Sequence, residues 1–151
     1  MDLEVRWMKR EDFDVACKIM APAGGDVGRK RLEKLISKST VVCAVAESSD
    51  EVVGILIYDI GRVSKIKILE FAVEQNSRRK GVGTLLMSAV ISRLNKKRSK
   101  IELSVSEYNL SAQIFLRAAG FRAVEVQNDP PNPSEYKFVY KFVEEDATKE
   151  A

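Results

Sequence analysis

The sequence predicts a single α/β domain, and three observations carry that prediction. Seven apolar segments read as strands, by alternation or by runs of β-branched residues. Between them lie four segments with apolar residues at helical spacing. No internal repeat or linker divides the 151 residues, a length that buries a sizeable core without metal or disulfide staples. The expected layout is one domain over residues 1–145 and a polar, fraying tail at 146–151.

Leu3, Val5 and Trp7 alternate with Glu4 and Arg6, which predicts a first strand. Asp12 then caps, or sits in the first turn of, a helix whose apolar face is Phe13, Ala16, Cys17 and Met20. Pro22 and the Gly24-Gly25 pair end it, and a second helix follows from Arg29 to Ser37 through Leu32, Leu35 and Ile36. Val41–Glu47 and Val52–Ile60 form a hairpin about the turn Ser48-Ser49-Asp50. The fourth strand is Ile66–Val73. Leu86, Val90 and Leu94 mark a third helix, expected to end in Lys96-Lys97-Arg98, where cations suit the negative end of a helix.

Ile101, Leu103 and Val105 alternate with polar residues in a fifth strand. Asn109 caps a fourth helix with Ala112, Ile114, Phe115 and Ala118 as its apolar face, and Gly120 stops it. Phe121–Val126 resumes as strand. Asn128–Ser134 reads as a loop, since its three prolines forbid a central strand. Tyr136, Phe138, Tyr140 and Phe142 alternate with Lys137, Val139, Lys141 and Val143 in the last strand.

Composition narrows the function. A net charge of +3 suits an anionic ligand but falls short of a nucleic-acid coating, so the basic run Lys96–Arg98 reads as a solvated helix end. With no histidine and only Cys17 and Cys43, a zinc site or a Ser-His triad is excluded, and both cysteines read as buried free thiols. The N-terminus lacks the pattern of a signal peptide, and no apolar run reaches the ~20 residues that cross a bilayer. The expectation is a cytoplasmic protein.

The most informative stretch is Glu70–Met87. An apolar strand runs into Arg78-Arg79-Lys80-Gly81-Val82-Gly83, and that loop opens a helix. A helix start offers unpaired backbone N–H groups and the positive end of the helix dipole. Glycines admit a bulky anion, and three cations attract it. The stretch is a phosphate cradle.

Together, Phe71-Ala72-Val73, the Arg-x-x-Gly-x-Gly loop 78–83, Asn109 and Ala119-Gly120-Phe121 resemble the GNAT superfamily of acetyl-CoA-dependent N-acetyltransferases. Within it, Asn109–Phe121 looks most like the RimI-type branch, which acetylates protein N-terminal alanines. The resemblance implies a mixed, mostly antiparallel sheet of six to seven strands flanked by about four helices. It also implies that the backbone of Phe71, Ala72 and Val73 pairs with the pantetheine arm of coenzyme A. Arg78, Arg79, Lys80, Gly81, Val82, Gly83 and Thr84 would hold the pyrophosphate. Asn109 would bond the pantetheine end, with Ala112 and Phe115 beside it.

Acetyl transfer to an amine requires removal of its proton, and without histidine the base is a carboxylate, a tyrosine or a water chain. Glu70 is the leading candidate: it lies mid-strand among apolar residues, where desolvation makes a carboxylate more basic. Pairing with a nearby Lys or Arg is its structural alternative. The Val73 N–H would polarise the carbonyl. The RimI-type pattern places a glutamate base where this chain has Ser104, and a tyrosine acid where it has Leu116. Glu102, two residues back on the same strand face, or Tyr108 would substitute. The expected acceptor is a protein α-amine or lysine. The alternatives are a small-molecule amine or a CoA-binding module without catalysis. Homodimerisation is left open.

Overall fold

The computed structural model describes residues 2–144, so the tail expected at 146–151 lies outside the described residues. The elements run β1 (Leu3–Trp7), α1 (Phe13–Met20), α2 (Val27–Ile36), β2 (Val41–Ser48), β3 (Glu51–Asp59), β4 (Lys65–Val73), α3 (Val82–Ile91), β5 (Lys100–Ser106), α4 (Leu110–Ala118), β6 (Arg122–Asp129) and β7 (Asn132–Lys141). They build a seven-stranded sheet in the order β1-β2-β3-β4-β5-β7-β6. Every neighbouring pair is antiparallel except β4 and β5. The expected mixed α/β architecture is therefore the observed one.

Each sheet face carries its own core. On one, Ala16, Ile19 and Leu32 from α1 and α2 pack against Val45, Ile55 and Ile57. On the other, Leu86, Met87 and Val90 of α3 and Leu116 of α4 cover Leu56, Ile66, Ile101 and Phe138. The near-unbroken burial of β3 follows, because helices shield both of its faces.

Asp12 occupies the cap position of α1 without a side-chain cap bond. Its carboxylate instead accepts from the Lys9 N–H at 2.7 Å and pairs with Arg6 at 2.8 Å. Arg6 holds the Asp12 carboxyl below the usual range. Cys17 and Cys43 are free thiols, half-buried rather than fully so, and burial pushes Cys43 up to about 11.

Three local expectations change. Helix α3 stops at Ile91, well short of Lys96-Lys97-Arg98. The Asn95 side chain captures the amides of Lys97 and Arg98, at 2.9 and 2.8 Å, in a turn that competes with the helix. In α4 the inward residues are Gln113 and Leu116, while Ile114 is 69% exposed. Gln113 Nε2 donates to the carbonyls of Ser106 and Glu107, both at 3.1 Å, and that anchor sets the rotation of the helix. The expected loop Asn128–Ser134 is instead a hairpin, with only Pro130 and Pro131 between β6 and β7. Pro133 is accommodated because it lies beyond the reach of β5 and where the β6–β7 register shifts.

A pH effect follows from β3. Lys38 Nζ lies 2.8 Å from Asp59, and this bond, outweighing burial, lowers the Asp59 carboxyl from 3.8 to about 2. A depressed folded-state value stabilises the fold above the ordinary value and loses that contribution as pH falls through the lower one. Lys38→Met should therefore lower the urea midpoint near neutrality, and its gap to wild type should close between about pH 4 and pH 2.

Candidate active site

The site begins where two strands part. β4 and β5 pair in parallel only over Lys65–Lys67 and Lys100–Glu102. Beyond that, β4 stays on β3, but its register shifts so that Ile57 faces Glu70 while Tyr58 faces Ile68. Leu69 is thus an extra, bulged residue. A bulge bends and twists its strand, here beside the point where pairing with β5 ends. It also turns Glu70 onto the α2 face, opposite to what simple alternation from Ile68 gives. The resulting cleft, about 240 Å³, is lined among others by Glu70, Phe71, Ser104, Ser106, Asn109 and Phe115.

The β4 side of the cleft is an open strand edge. Glu74 N–H bonds Val53 O at 2.8 Å on the β3 side. Successive amides alternate, so the Val73 N–H faces away from β3, into the opening. The Val73 carbonyl, on that same side, accepts from Arg78 Nε at 3.3 Å.

Past a 3₁₀ turn at Gln75–Ser77, the chain reaches the basic loop. Gly81 adopts φ +85° as the cap of α3, a conformation that disfavours side chains. The first helical bond runs from Leu85 N to Gly81 O at 3.0 Å, so the amides of Val82, Gly83 and Thr84 have no acceptor within the helix. No side chain caps them. A Cβ at Gly81 would meet nothing within 4 Å, so the space before these amides is open. Arg78, Arg79, Lys80 and Thr84 are exposed around it. Two residues on, a Cβ at Gly83 would come within 3.3 Å of the Phe71 and Phe115 rings, whose centroids lie 5.4 Å apart. Gly83→Leu should wedge this aromatic pair and weaken cofactor binding at least about tenfold, measured by calorimetric titration.

Opposite, Asn109 Oδ1 accepts from Ala112 N at 3.2 Å and Ser111 Oγ at 3.3 Å, capping α4. Its Nδ2 makes no hydrogen bond among the described residues, so a donor remains for a molecule in the cleft. Of the residues expected to meet the cofactor, Phe71, Asn109, Ala112 and Phe115 line that cleft, whereas Ala72, Val73 and residues 78–84 lie outside its lining.

The loop thus offers free amides and cations to an anion, and the β4 edge offers an N–H to an extended group. The sequence matches the acetyltransferase (GNAT) family over residues 7–121. The chain belongs to the GNAT acetyltransferase family. It is an acetyltransferase using acetyl-CoA, and the open cradle and free strand edge fit that cofactor.

Solved GNAT-type structures repeat the fold at low identity. The ribosomal-protein-S18-alanine N-acetyltransferase of Escherichia coli superposes with a TM-score of 0.79 at 14% identity, covering 97% of each chain. Ard1 from Thermoplasma volcanium gives 0.77 at 21%, covering 94% of this chain and 99% of that one. An aminoglycoside 6'-N-acetyltransferase complexed with coenzyme A gives 0.76 at 13%, over 95% and 99%. No curated protein sequence matches the chain.

Of the three sequence-level catalytic candidates in this GNAT chain, only Glu70 lines the cleft. Its carboxylate receives Arg31 Nε at 2.5 Å, while Arg31 Nη2 donates to Leu69 O at 2.9 Å. Glu102 is 5% exposed and holds Lys65, Lys137 and Lys100 at 2.9, 3.4 and 3.6 Å. Burial raises its carboxyl, but the lysines outweigh burial and leave it below the usual range. Tyr108 is 75% exposed, outside the cleft lining. Ser104 lies in the cleft, and Leu116 forms its floor, buried in the core.

Sequence reasoning missed Arg31, Ser106 and Gln113. Arg31 sits among the solvent-facing cations of α2, and nothing in its neighbourhood signals a contact 39 residues away. Among the described residues, no helix is long and apolar enough to cross a membrane.

Proposed function

We propose that this protein acetylates a primary amine of a protein, an N-terminal α-amine or a lysine, with Glu70 as the proton acceptor. The observation that carries the reading is the Glu70 carboxylate in the same cleft as the open β4 edge and Asn109. Acetyl-CoA, when bound, supplies an acetyl group already activated as a thioester. The amides of Gly81 to Thr84 and the cations Arg78, Arg79 and Lys80 would hold its pyrophosphate. The backbone of Phe71, Ala72 and Val73 and the Asn109 side chain would hold its pantetheine arm. Val73 N–H is a donor for a carbonyl oxygen as negative charge develops on it.

A free amine is mostly protonated near neutral pH, with ordinary values from about 8 for an α-amine to about 10 for lysine. Glu70 takes that proton, directly or through a water, as the amine becomes a nucleophile. Arg31 holds the carboxylate in place from α2. Ser104 and Ser106 are neutral hydroxyls on the opposite wall, able to relay protons but not to hold them.

A protein amine is favoured by the resemblance of Asn109–Phe121 to the RimI-type branch. The similar E. coli structure acts, by its name, on an alanine of ribosomal protein S18. Another similar structure is an aminoglycoside acetyltransferase, so the test sets the two acceptor classes against each other. The protein is incubated with acetyl-CoA and parallel panels of peptides and small amines, and free CoA is read. Turnover of peptides is expected. Turnover of small amines alone overturns the reading, and binding of acetyl-CoA with no turnover on either panel replaces it with a non-catalytic CoA-binding module.

A further inference from the structure

A second cavity adjoins the cleft and differs from it in charge. It encloses about 410 Å³ between α2, the end of β3 and the start of β4. Arg31, Lys34, Lys38, Arg62 and Lys67 line it, with Asp59 the single carboxylate. Asp59 is already satisfied by Lys38 Nζ at 2.8 Å and by the Gly61 N–H at 2.8 Å. Among the described residues, no salt bridge forms to Lys34, Arg62 or Lys67. Arg31 and Leu69 line both this cavity and the cleft, so the two spaces meet beside Glu70.

Uncompensated cations converging on a concave surface raise the local concentration of anions and favour ligands that neutralise them. A net charge of +3 for the whole chain makes this concentration local rather than general. The cavity lies away from the basic loop 78–83 and takes no residue from it, so it is not part of the cofactor cradle. Along β4, Lys67 precedes Glu70 by three residues, about 10 Å at the rise of a strand. An extended peptide whose amine lies at Glu70 therefore reaches Lys67 with its side chains about two to four residues away.

We propose that this cavity binds acidic side chains of the acceptor, so that the protein selects amines followed or flanked by Asp or Glu. The proposal rests on the reading of the cleft as the site of acetyl transfer to a protein amine, and it names the class of that protein segment. Arg31 links the two functions, since it touches Glu70 from the wall shared with the basic cavity.

The test compares peptides that differ only by Asp or Glu against Asn or Gln, two to four residues from the acceptor amine. CoA release gives kcat/KM for each at low and high salt. The acidic peptides should be preferred about tenfold at low salt, an effect within reach of two or three exposed ion pairs, and the preference should shrink with added salt. In Lys34→Glu with Lys67→Glu the acidic-to-neutral ratio should fall to about one or below. Retention of the acetyl-CoA-induced thermal shift shows that this variant is folded. Equal kcat/KM for acidic and neutral peptides in the wild type overturns the proposal. So does a preference for small dicarboxylic or phosphorylated amines over every peptide.

If no peptide turns over, fluorescence anisotropy of a labelled acidic peptide separates the two readings. Binding to wild type but not to the double variant sustains the basic cavity as a site for acidic side chains while overturning protein-amine acetylation. Absence of binding to both overturns the cavity assignment itself.

Discussion

Gly81→Glu should abolish the rise in melting temperature that acetyl-CoA produces in the wild type. A ligand present at a hundred times its Kd stabilises a fold by about 2.7 kcal/mol, so the missing shift is easily read. The change acts on the ligand rather than on the fold. A Cβ at Gly81 meets nothing within 4 Å, so no clash arises within the protein. The φ of +85° costs a side chain about 1–2 kcal/mol of backbone strain, partly offset because a carboxylate suits a helix N-terminus. What the carboxylate does not suit is a second anion in the same place. Gly81→Asn, which tolerates the left-handed conformation and carries no charge, should keep a measurable shift. A shift in Gly81→Glu equal to that of wild type would refute the assignment of the cradle.

Glu70→Gln should lower kcat about 100-fold or more, the range for loss of a general base, while leaving acetyl-CoA affinity near wild type. Glutamine fills the same volume and cannot accept a proton. The Arg31 pair it disrupts is half-exposed on the arginine side, and such pairs contribute about 0–1 kcal/mol. Destabilisation should therefore be small. Equal losses in turnover and in cofactor affinity would make Glu70 a structural partner of Arg31 instead. Arg31→Met supplies the converse. It keeps the carboxylate but releases it from α2, so turnover should fall less there than in Glu70→Gln.

The basic loop and the Glu70 carboxylate are encoded in different ways. Gly81 declares itself within the six residues of the basic loop, because a left-handed helix cap calls for glycine there, whereas the close approach of Gly83 to Phe71 and Phe115 is a tertiary contact. Asn109, like Gly81, declares itself locally, through its cap of Ala112 N. Glu70 cannot be read that way. Its surroundings depend on a bulge at Leu69 and on a side chain from α2, and neither leaves a local mark in the sequence. Ile114 and the cluster Lys96–Arg98 were misplaced for a related reason. Apolar spacing and charge suggested their positions, but the Gln113 anchor and the Asn95 turn decided them.

By itself, the sequence determined the alternation of strands and helices, the basic glycine-bearing loop that opens α3 and the lack of any histidine. These depend on backbone preferences over short windows and on residue inventory. Only the tertiary structure decided which carboxylate enters the cleft. Ion pairs form between residues that packing brings together, and packing here turned Glu70 toward Arg31 and closed three lysines around Glu102. The same packing gathered Arg31, Lys34, Lys38, Arg62 and Lys67, scattered over 37 positions of the chain, into one basic cavity beside the Glu70 carboxylate.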